Sequence, residues 1–261
     1  MNLSKKIVFL SAFIGILGVG GIARAVPINQ AHSSAVLLAT HNSQIAQASN
    51  RGREVESKEV PDSTNDNDSE VNDDKIPVSL TKIGENGEAV YDAAKIDDWT
   101  KATASLTSLE NAAKQMSSEM RGNNTSALDS NITALREAVT AKNRLAAMQE
   151  ANSITLAAAK LTAQYKPKVP VEITLLDYYG RELEIGAAAN NTAKLQATAA
   201  QMRQTWDTVR PSIQAHGGST QAQQFDSLVA RVQAAKSPTE YGRLATPVLD
   251  QVDNLEKVFN R

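Results

Sequence analysis

The part of this sequence richest in chemistry-bearing side chains runs from Asp177 to Glu184. Asp177 and Arg181 are four residues apart, which is one turn of a helix, and Glu184 follows Arg181 at a spacing of three. Residues at these spacings are neighbours on a helix surface, so Arg181 can pair with either carboxylate. Tyr178 and Tyr179 add phenol groups to the same turn. The pattern predicts a largely self-neutralising polar face.

A second pair of carboxylates, Glu88 and Asp92, is also one helical turn apart. If its helix faced the Asp177 to Glu184 helix, four carboxylates and a tyrosine would converge on one place and could bind a cation. The metal-site hypothesis therefore names Glu88, Asp92, Asp177 and Glu184. The alternative is a solvated helix face, which is the usual role of charges at this spacing.

Thioether and oxygen ligands give two further possibilities. Met116 and Met120, with Met148 or Met202, could offer sulfur to Cu(I), but their spacing is also typical of core positions. The run Asp66-x-Asp68-x-Glu70 places oxygen ligands at alternate positions, as calcium loops do. Such a loop needs glycine at its sixth position, which is Val71 here, so a solvated tether is favoured over a divalent-ion site.

The composition argues against an enzyme. The chain has no cysteine, and His216 is the only histidine after residue 78. No Ser/His/Asp or Cys/His set can form there, and no glycine-rich phosphate loop follows a strand. We expect no catalytic residues and no cofactor. His216 before Gly217 instead predicts a helix C-terminus with a left-handed cap.

Charge divides the chain into three parts. Residues 1–25 have the pattern of a signal peptide: Lys5 and Lys6, an apolar run over 7–22, and small residues flanking Arg24. The run is shorter than the roughly 20 residues of a membrane span, so cleavage is favoured over a retained anchor. We expect a periplasmic or secreted protein without a stable membrane anchor after cleavage.

Residues 26–78 carry four basic and nine acidic residues with no helical periodicity, which predicts a disordered acidic linker. Residues 79–261 carry 20 basic and 20 acidic residues and no basic stripe, which argues against nucleic-acid binding.

Long alanine-rich segments with helical periodicity follow the linker. Apolar residues repeat every seven positions in two offset series, an a/d seam typical of packed helices; these are Trp99, Leu106, Ala113 and Met120, and Ala102, Leu109 and Met116. Caps and breakers predict eight helices: 80–96, 98–121, 125–142, 143–165, 171–189, 191–215, 219–235 and 238–259. The third and fourth could instead be one helix, because no Gly or Pro separates them.

The same register recurs 93 residues later, with Asn190-Asn191 in the place of Asp97-Asp98. The sequence therefore predicts an all-α, up-down antiparallel bundle made of two tandem pseudo-repeats of about four helices, residues 79–166 and 171–261. Two small bundles and one longer bundle are both compatible with this pattern.

Three functions fit these predictions. The favoured one is an exported, non-enzymatic protein-interaction or scaffold module that uses its helix faces. The alternative is a periplasmic binding protein for a small ligand or a metal cation, using the acidic face described above. The third is self-association through exposed heptad seams.

Overall fold

The computed structural model describes residues 73–119 and 125–260, all within one compact unit, Thr64–Arg261. These residues form eight α-helices and no strand, which confirms the predicted all-α class for this part of the chain. The helices are α1 (Val78–Lys95), α2 (Trp99–Glu119), α3 (Ser126–Thr140), α4 (Arg144–Thr162), α5 (Val171–Ala188), α6 (Thr192–Ala215), α7 (Ser219–Ala234) and α8 (Pro238–Phe259). Short 3₁₀ turns occur at Asp73–Lys75 and Ala163–Tyr165. The predicted signal peptide, residues 26–72 of the predicted linker and the Asp66 to Glu70 run within it lie outside the described residues.

Apolar side chains gather in two cores. The first core is built from α1 to α4 and also receives Ile185 of α5. The second core is built from α5 to α8 and contains large aromatic side chains, among them the fully buried Trp206 and Phe225. Their ring centroids are 4.7 Å apart. The first four helices and the last four thus each enclose an apolar interior.

The helices contact one another in the same order around both cores. α1 and α3 each pack against α2 and α4, while α5 and α7 each pack against α6 and α8. Contact between α4 and α5 joins the two sets. Glycine permits the closest approaches: a Cβ atom on Gly180 of α5 would lie 2.6 Å from Leu249 Cδ2 of α8. A Cβ on Gly87 of α1 would lie 3.3 Å from Ile154 Cγ2 of α4.

Hydrogen bonds to backbone groups define the ends of α2, α6 and α8. Asp98 caps α2 by accepting a hydrogen bond from the backbone N–H of Lys101 at 3.0 Å. Ser237 caps α8 in the same way, accepting from the backbone N–H of Glu240 at 3.3 Å. His216 is the C-cap of α6, and Gly217 has a φ of +79°. The Nδ1 atom of His216 lies 2.8 Å from the carbonyl oxygen of Ser212 in the last turn of α6.

The break between α3 and α4 decides against a single long helix in this region. Lys142 has a left-handed backbone with a φ of 52°, and Asn143 then caps α4 by accepting a hydrogen bond from Ala146 N at 3.2 Å. A lysine in this conformation gives little warning in the sequence, because Gly or Asn normally fills it. The alternative of one continuous helix is therefore wrong.

The heptad seam of α2 faces the interior of the chain. Leu106, Leu109 and Met116 are buried in the first core, whereas Trp99 at the start of the seam is half-exposed. Met120 lies outside the described residues. None of the described helices combines the length and the apolar composition needed to cross a bilayer.

The α3–α4 break yields opposite expectations at neighbouring positions. Lys142→Gly should raise the free energy of unfolding by about 0.5–1 kcal/mol, because glycine adopts a positive φ without a Cβ clash. Asn143→Ala should lower it by about 1 kcal/mol through loss of the cap. Chemical denaturation measures both. Ala141→Gly is the control: Ala141 is exposed with an ordinary right-handed backbone, so glycine should destabilise there. If glycine stabilised the protein at position 141 as well as at position 142, the positive φ of Lys142 would not be the cause.

Candidate functional site

The helix α5 carries the predicted polar stretch and lies at the centre of the described fold. It packs against α4, α6 and α8, and its side chains also reach α1. Two consecutive charged residues of α5 are buried, Arg181 with 8% and Glu182 with 2% of its surface exposed. Consecutive residues on a helix point in directions about 100° apart. The two charges therefore face different neighbours and form two polar clusters.

The first cluster surrounds Arg181 where α5 meets α1. Arg181 Nη2 lies 3.2 Å from Asp177 Oδ2 and 3.6 Å from Glu88 Oε2. The guanidinium carbon also lies 5.2 Å from the ring centroid of Tyr91, a cation–π distance. One guanidinium thus serves two carboxylates from two helices.

Burial and charge shift the protonation equilibria of this cluster. Burial raises the pKa of Glu88 to about 7; the negative charges of Asp177 and Asp92 add to this shift, and the positive charge of Arg181 opposes it. Burial also raises the pKa of Asp177, although Arg181 acts against it. Burial alone would lower the pKa of Arg181, but Asp177, Glu88 and Asp92 outweigh it and hold that pKa above its usual range. Arg181 is therefore a permanent cation among carboxylates that ionise reluctantly.

Glu184 belongs to a separate set of contacts one turn along α5. It accepts a hydrogen bond from the Tyr91 hydroxyl at 2.8 Å and pairs with Lys95 Nζ at 2.8 Å. Burial and the charge of Glu184 raise the pKa of Tyr91 above its usual range, so the phenol stays a donor. Glu184 therefore ties α5 to α1 through Tyr91 and Lys95.

The second cluster surrounds Glu182 between α5, α4 and α6. Glu182 Oε1 accepts hydrogen bonds from Asn152 Nδ2 at 2.8 Å and Gln149 Nε2 at 3.3 Å. Glu182 Oε2 pairs with Lys194 Nζ of α6 at 2.7 Å. Asn152 Nδ2 also lies 3.2 Å from the backbone oxygen of Tyr178, which it can donate to. A single buried carboxylate thereby connects three helices across the boundary between the two cores.

Glu182, Asn152 and Gln149 were not among the predicted site residues. The available signal was an acidic residue placed between the apolar positions of α5, beside an arginine and just before Leu183. A charge on a mostly apolar helix is expected to have a buried partner. The partner itself was not readable from the sequence, because Asn152 and Lys194 lie 30 and 12 residues away in opposite directions.

Three buried polar atoms in these clusters have no hydrogen-bond partner among the described residues: Arg181 Nη1, Asp177 Oδ2 and Asn152 Oδ1. Asp177 Oδ2 lies within ion-pair distance of Arg181 Nη2, so the two groups still attract each other by charge. A buried group without a partner costs about 1–3 kcal/mol. The polar junction therefore carries a stability cost, which the two apolar cores offset.

The structure divides the four carboxylates of the metal-site hypothesis. Glu88 and Asp177 both face Arg181, Glu184 is turned toward Tyr91 and Lys95, and Asp92 is exposed. Within the described ranges, no group of three His, Asp or Glu side chains is placed to hold one metal ion. Side chains of α1 and α5 do contact each other, but Arg181 and Lys95 form ion pairs with the carboxylates that would have bound a metal.

The methionines considered for Cu(I) are divided between the two interiors. Met116 and Met148 lie in the first core, while Met202 lies in the second and is fully buried. All three therefore act as packing side chains among apolar neighbours.

Comparison of the chain with protein-family models, with curated proteins and with solved structures finds no match. The function must therefore be argued from the geometry of the chain itself.

The Glu182 cluster predicts the effect of removing its cation. Lys194→Met should lower the free energy of unfolding by about 2–3 kcal/mol, because it leaves a buried carboxylate without its counter-charge. Urea denaturation measures the loss. Adding Glu182→Gln to the same chain should restore part of it, since the uncompensated charge is then gone.

Lys101→Met is the matched control. Lys101 holds the same position after the N-cap of α2 that Lys194 holds after the N-cap of α6, and it is exposed. Its replacement should change stability by no more than about 0.5 kcal/mol. Equal losses for the two variants would show that the ion pair with Glu182 is not the cause.

Proposed function

We propose that this chain is an exported, non-enzymatic helical-bundle protein that binds a protein partner through one end of its first four helices. The surface concerned is the apolar tip, defined as Ile96, Trp99 and Leu145. Ile96 is 71% and Leu145 37% exposed, and they are two of the three large apolar residues exposed in the described ranges. Apolar side chains grouped on an otherwise polar surface are typical of interaction sites.

An exposed ion pair lies beside the tip. Arg144 Nη1 at the start of α4 lies 3.1 Å from Asp97 Oδ2, which is between α1 and α2. Ile96 precedes Asp97 and Leu145 follows Arg144 in the chain. The two exposed apolar residues therefore lie at the same end of the helices, where the half-exposed Trp99 begins α2.

The corresponding turn in the second half of the chain supports this proposal. Asp97 and Asn190 both have left-handed backbones, with φ of 60° and 53°, and each is followed by a capping residue. Yet Ala189 stands where the first turn has Ile96, and Thr192 where it has Trp99. The same turn folds without large apolar residues, so its own geometry does not require Ile96.

We also propose that the eight helices are two copies of one four-helix, up-down antiparallel unit. α1 and α5 are both 18 residues long and begin 93 residues apart, and the same spacing separates the starts of α2 and α6 and of α3 and α7. The helices also follow the same order of contacts around the two cores. On this reading the first copy carries the binding surface and the second does not.

The alternative function, binding of a cation or small ligand by the acidic face, has weaker support. Arg181 and Lys95 already neutralise much of the charge of Glu88, Asp177 and Glu184. A cation would have to compete with these fixed positive groups.

Photo-crosslinking tests the partner proposal. A photoreactive phenylalanine analogue at position 96, and separately at position 145, should give the same discrete adduct in cells that produce the protein. The same analogue at position 189 serves as the control, since Ala189 is exposed at the corresponding turn. Equal labelling at 96 and 189, or different adducts at 96 and 145, would contradict a single partner surface at the tip.

Export has its own test. We expect signal peptidase to cleave after Ala25, so that the mature chain begins at Val26. Mass spectrometry of the protein recovered from its producing cells gives the N-terminus. Recovery of a chain that still contains residues 1–25 would count against cleavage.

A further inference from the structure

Negative charge outweighs positive charge around Arg181 of α5, a helix that packs against α8 and that side chains of α1 reach. Asp253 and Glu256 of α8 are half-buried. The negative charge of Asp253 acts on Asp177, and the negative charge of Asp177 acts on Glu256. These two residues of α8 extend the Arg181 cluster into a junction with five carboxylates, those of Glu88, Asp92, Asp177, Asp253 and Glu256. Arg181 forms ion pairs with two of them, Glu88 and Asp177.

We propose that this junction is a proton-sensitive contact between the two halves of the chain, closed when Glu88 is protonated and loosened when Glu88 is ionised. The proposal does not depend on a partner at the apolar tip.

Geometry gives the first reason. Arg181 lies closer to Asp177 than to Glu88, at 3.2 against 3.6 Å, and the two carboxylate side chains are each only 17% exposed. One guanidinium can neutralise one carboxylate fully, so a second buried negative charge is left poorly compensated. Protonation of Glu88 removes that charge without removing the contact.

The neighbouring groups give the second reason. On α1, the negative charge of Asp92 acts on Glu88. Tyr91 and Lys95 of the same helix both bind Glu184, Tyr91 by a hydrogen bond and Lys95 by an ion pair. On α5, Asp177 and Arg181 act in opposite senses on Glu88. From α4, the atoms closest to the adjacent Gly87 belong to Ile154, Ala151 and Thr155, which carry no charge.

The α8 side adds further acid. Burial raises the pKa of Asp253, with Asp250 adding to the effect and Lys257 opposing it. Burial also raises the pKa of Glu256, with Asp253 and Asp177 adding to it and Lys257 opposing it. Lys257 is the cation that α8 contributes to these two groups, and it does not reverse either shift. The junction therefore favours protonation from all three helices.

The sign of the pH dependence follows from these shifts. The ordinary pKa of Glu88 is 4.5, and in the closed junction it is about 7. Between these values the closed form holds a proton that an open or unfolded form has lost, so acid stabilises the closed form. The stabilisation is complete below about pH 4.5 and is lost as the pH rises through 7. Asp226 and Glu240, whose pKa values are lowered by hydrogen bonds, titrate below this window.

Opening at this junction leaves another connection intact. Glu182 is paired with Lys194 and holds α5 against α4 and α6 on a different side of α5. Loosening of α1 from α5 is then a hinge motion about the α4–α5 contact. It also separates Glu184 from Tyr91 and Lys95, while the two halves stay attached.

Pulsed electron spin resonance tests this motion. The chain has no cysteine, so Ser130→Cys in α3 and Ser227→Cys in α7 give two unique, exposed positions for spin labels on the full-length protein. The distance distribution should be narrow near pH 5 and broader near pH 8. If Glu88 regains its ordinary pKa on opening, the ratio of open to closed molecules should rise on the order of tenfold or more over this range.

Glu88→Gln should keep the distribution narrow at both pH values, because the glutamine retains the shape without the charge. Glu85→Gln is the matched control: Glu85 is exposed on the same helix, and its replacement should leave the pH response of the wild type unchanged. If Glu88→Gln does not fold, Asp177→Asn takes its place with the same expected result. A wild-type distribution that does not change with pH, or a change that Glu88→Gln leaves intact, overturns the proposal.

Discussion

The burial of two opposite charges side by side on α5 is the constraint on which the arrangement of the helices depends. Arg181 must find carboxylates on one side of α5, and Glu182 must find donors and a cation on another. A buried charge without a partner is strongly destabilising, so these requirements fix the rotation of α5 about its axis. Apolar burial supplies most of the free energy of folding but is non-directional, and it does not select such a rotation by itself.

The two cores reach a similar arrangement of helices with different side chains. The first is lined largely by alanine, leucine and isoleucine, whereas the second includes Trp206, Phe225 and Tyr241. Trp206 keeps its indole N–H satisfied by donating to Asp226 at 2.8 Å, and Arg210 pairs with the same carboxylate.

The predicted site was partly readable because helical spacing is a local property. The one-turn spacing of Asp177 and Arg181, and of Glu88 and Asp92, correctly indicated two polar helix faces, and these faces meet. The sequence did not show which cationic side chain pairs with which carboxylate. Glu184 binds Lys95 and Tyr91 of α1 and does not pair with Arg181, and this choice depends on how α1 and α5 are placed relative to each other. Repulsion and desolvation at the junction likewise arise only once three helices converge.

By itself, the sequence determined the helical class, the helix ends with strong caps and the positions that face the interior, because hydrogen bonding within a turn and apolar periodicity are short-range. It did not determine the end of α3 at Lys142, where a lysine adopts a left-handed backbone without a local signal. Only the tertiary structure decided the partners of Glu182, which come from α4 and α6. Such partners are chosen by the energy of burying a charge, and that energy exists only after the helices have packed.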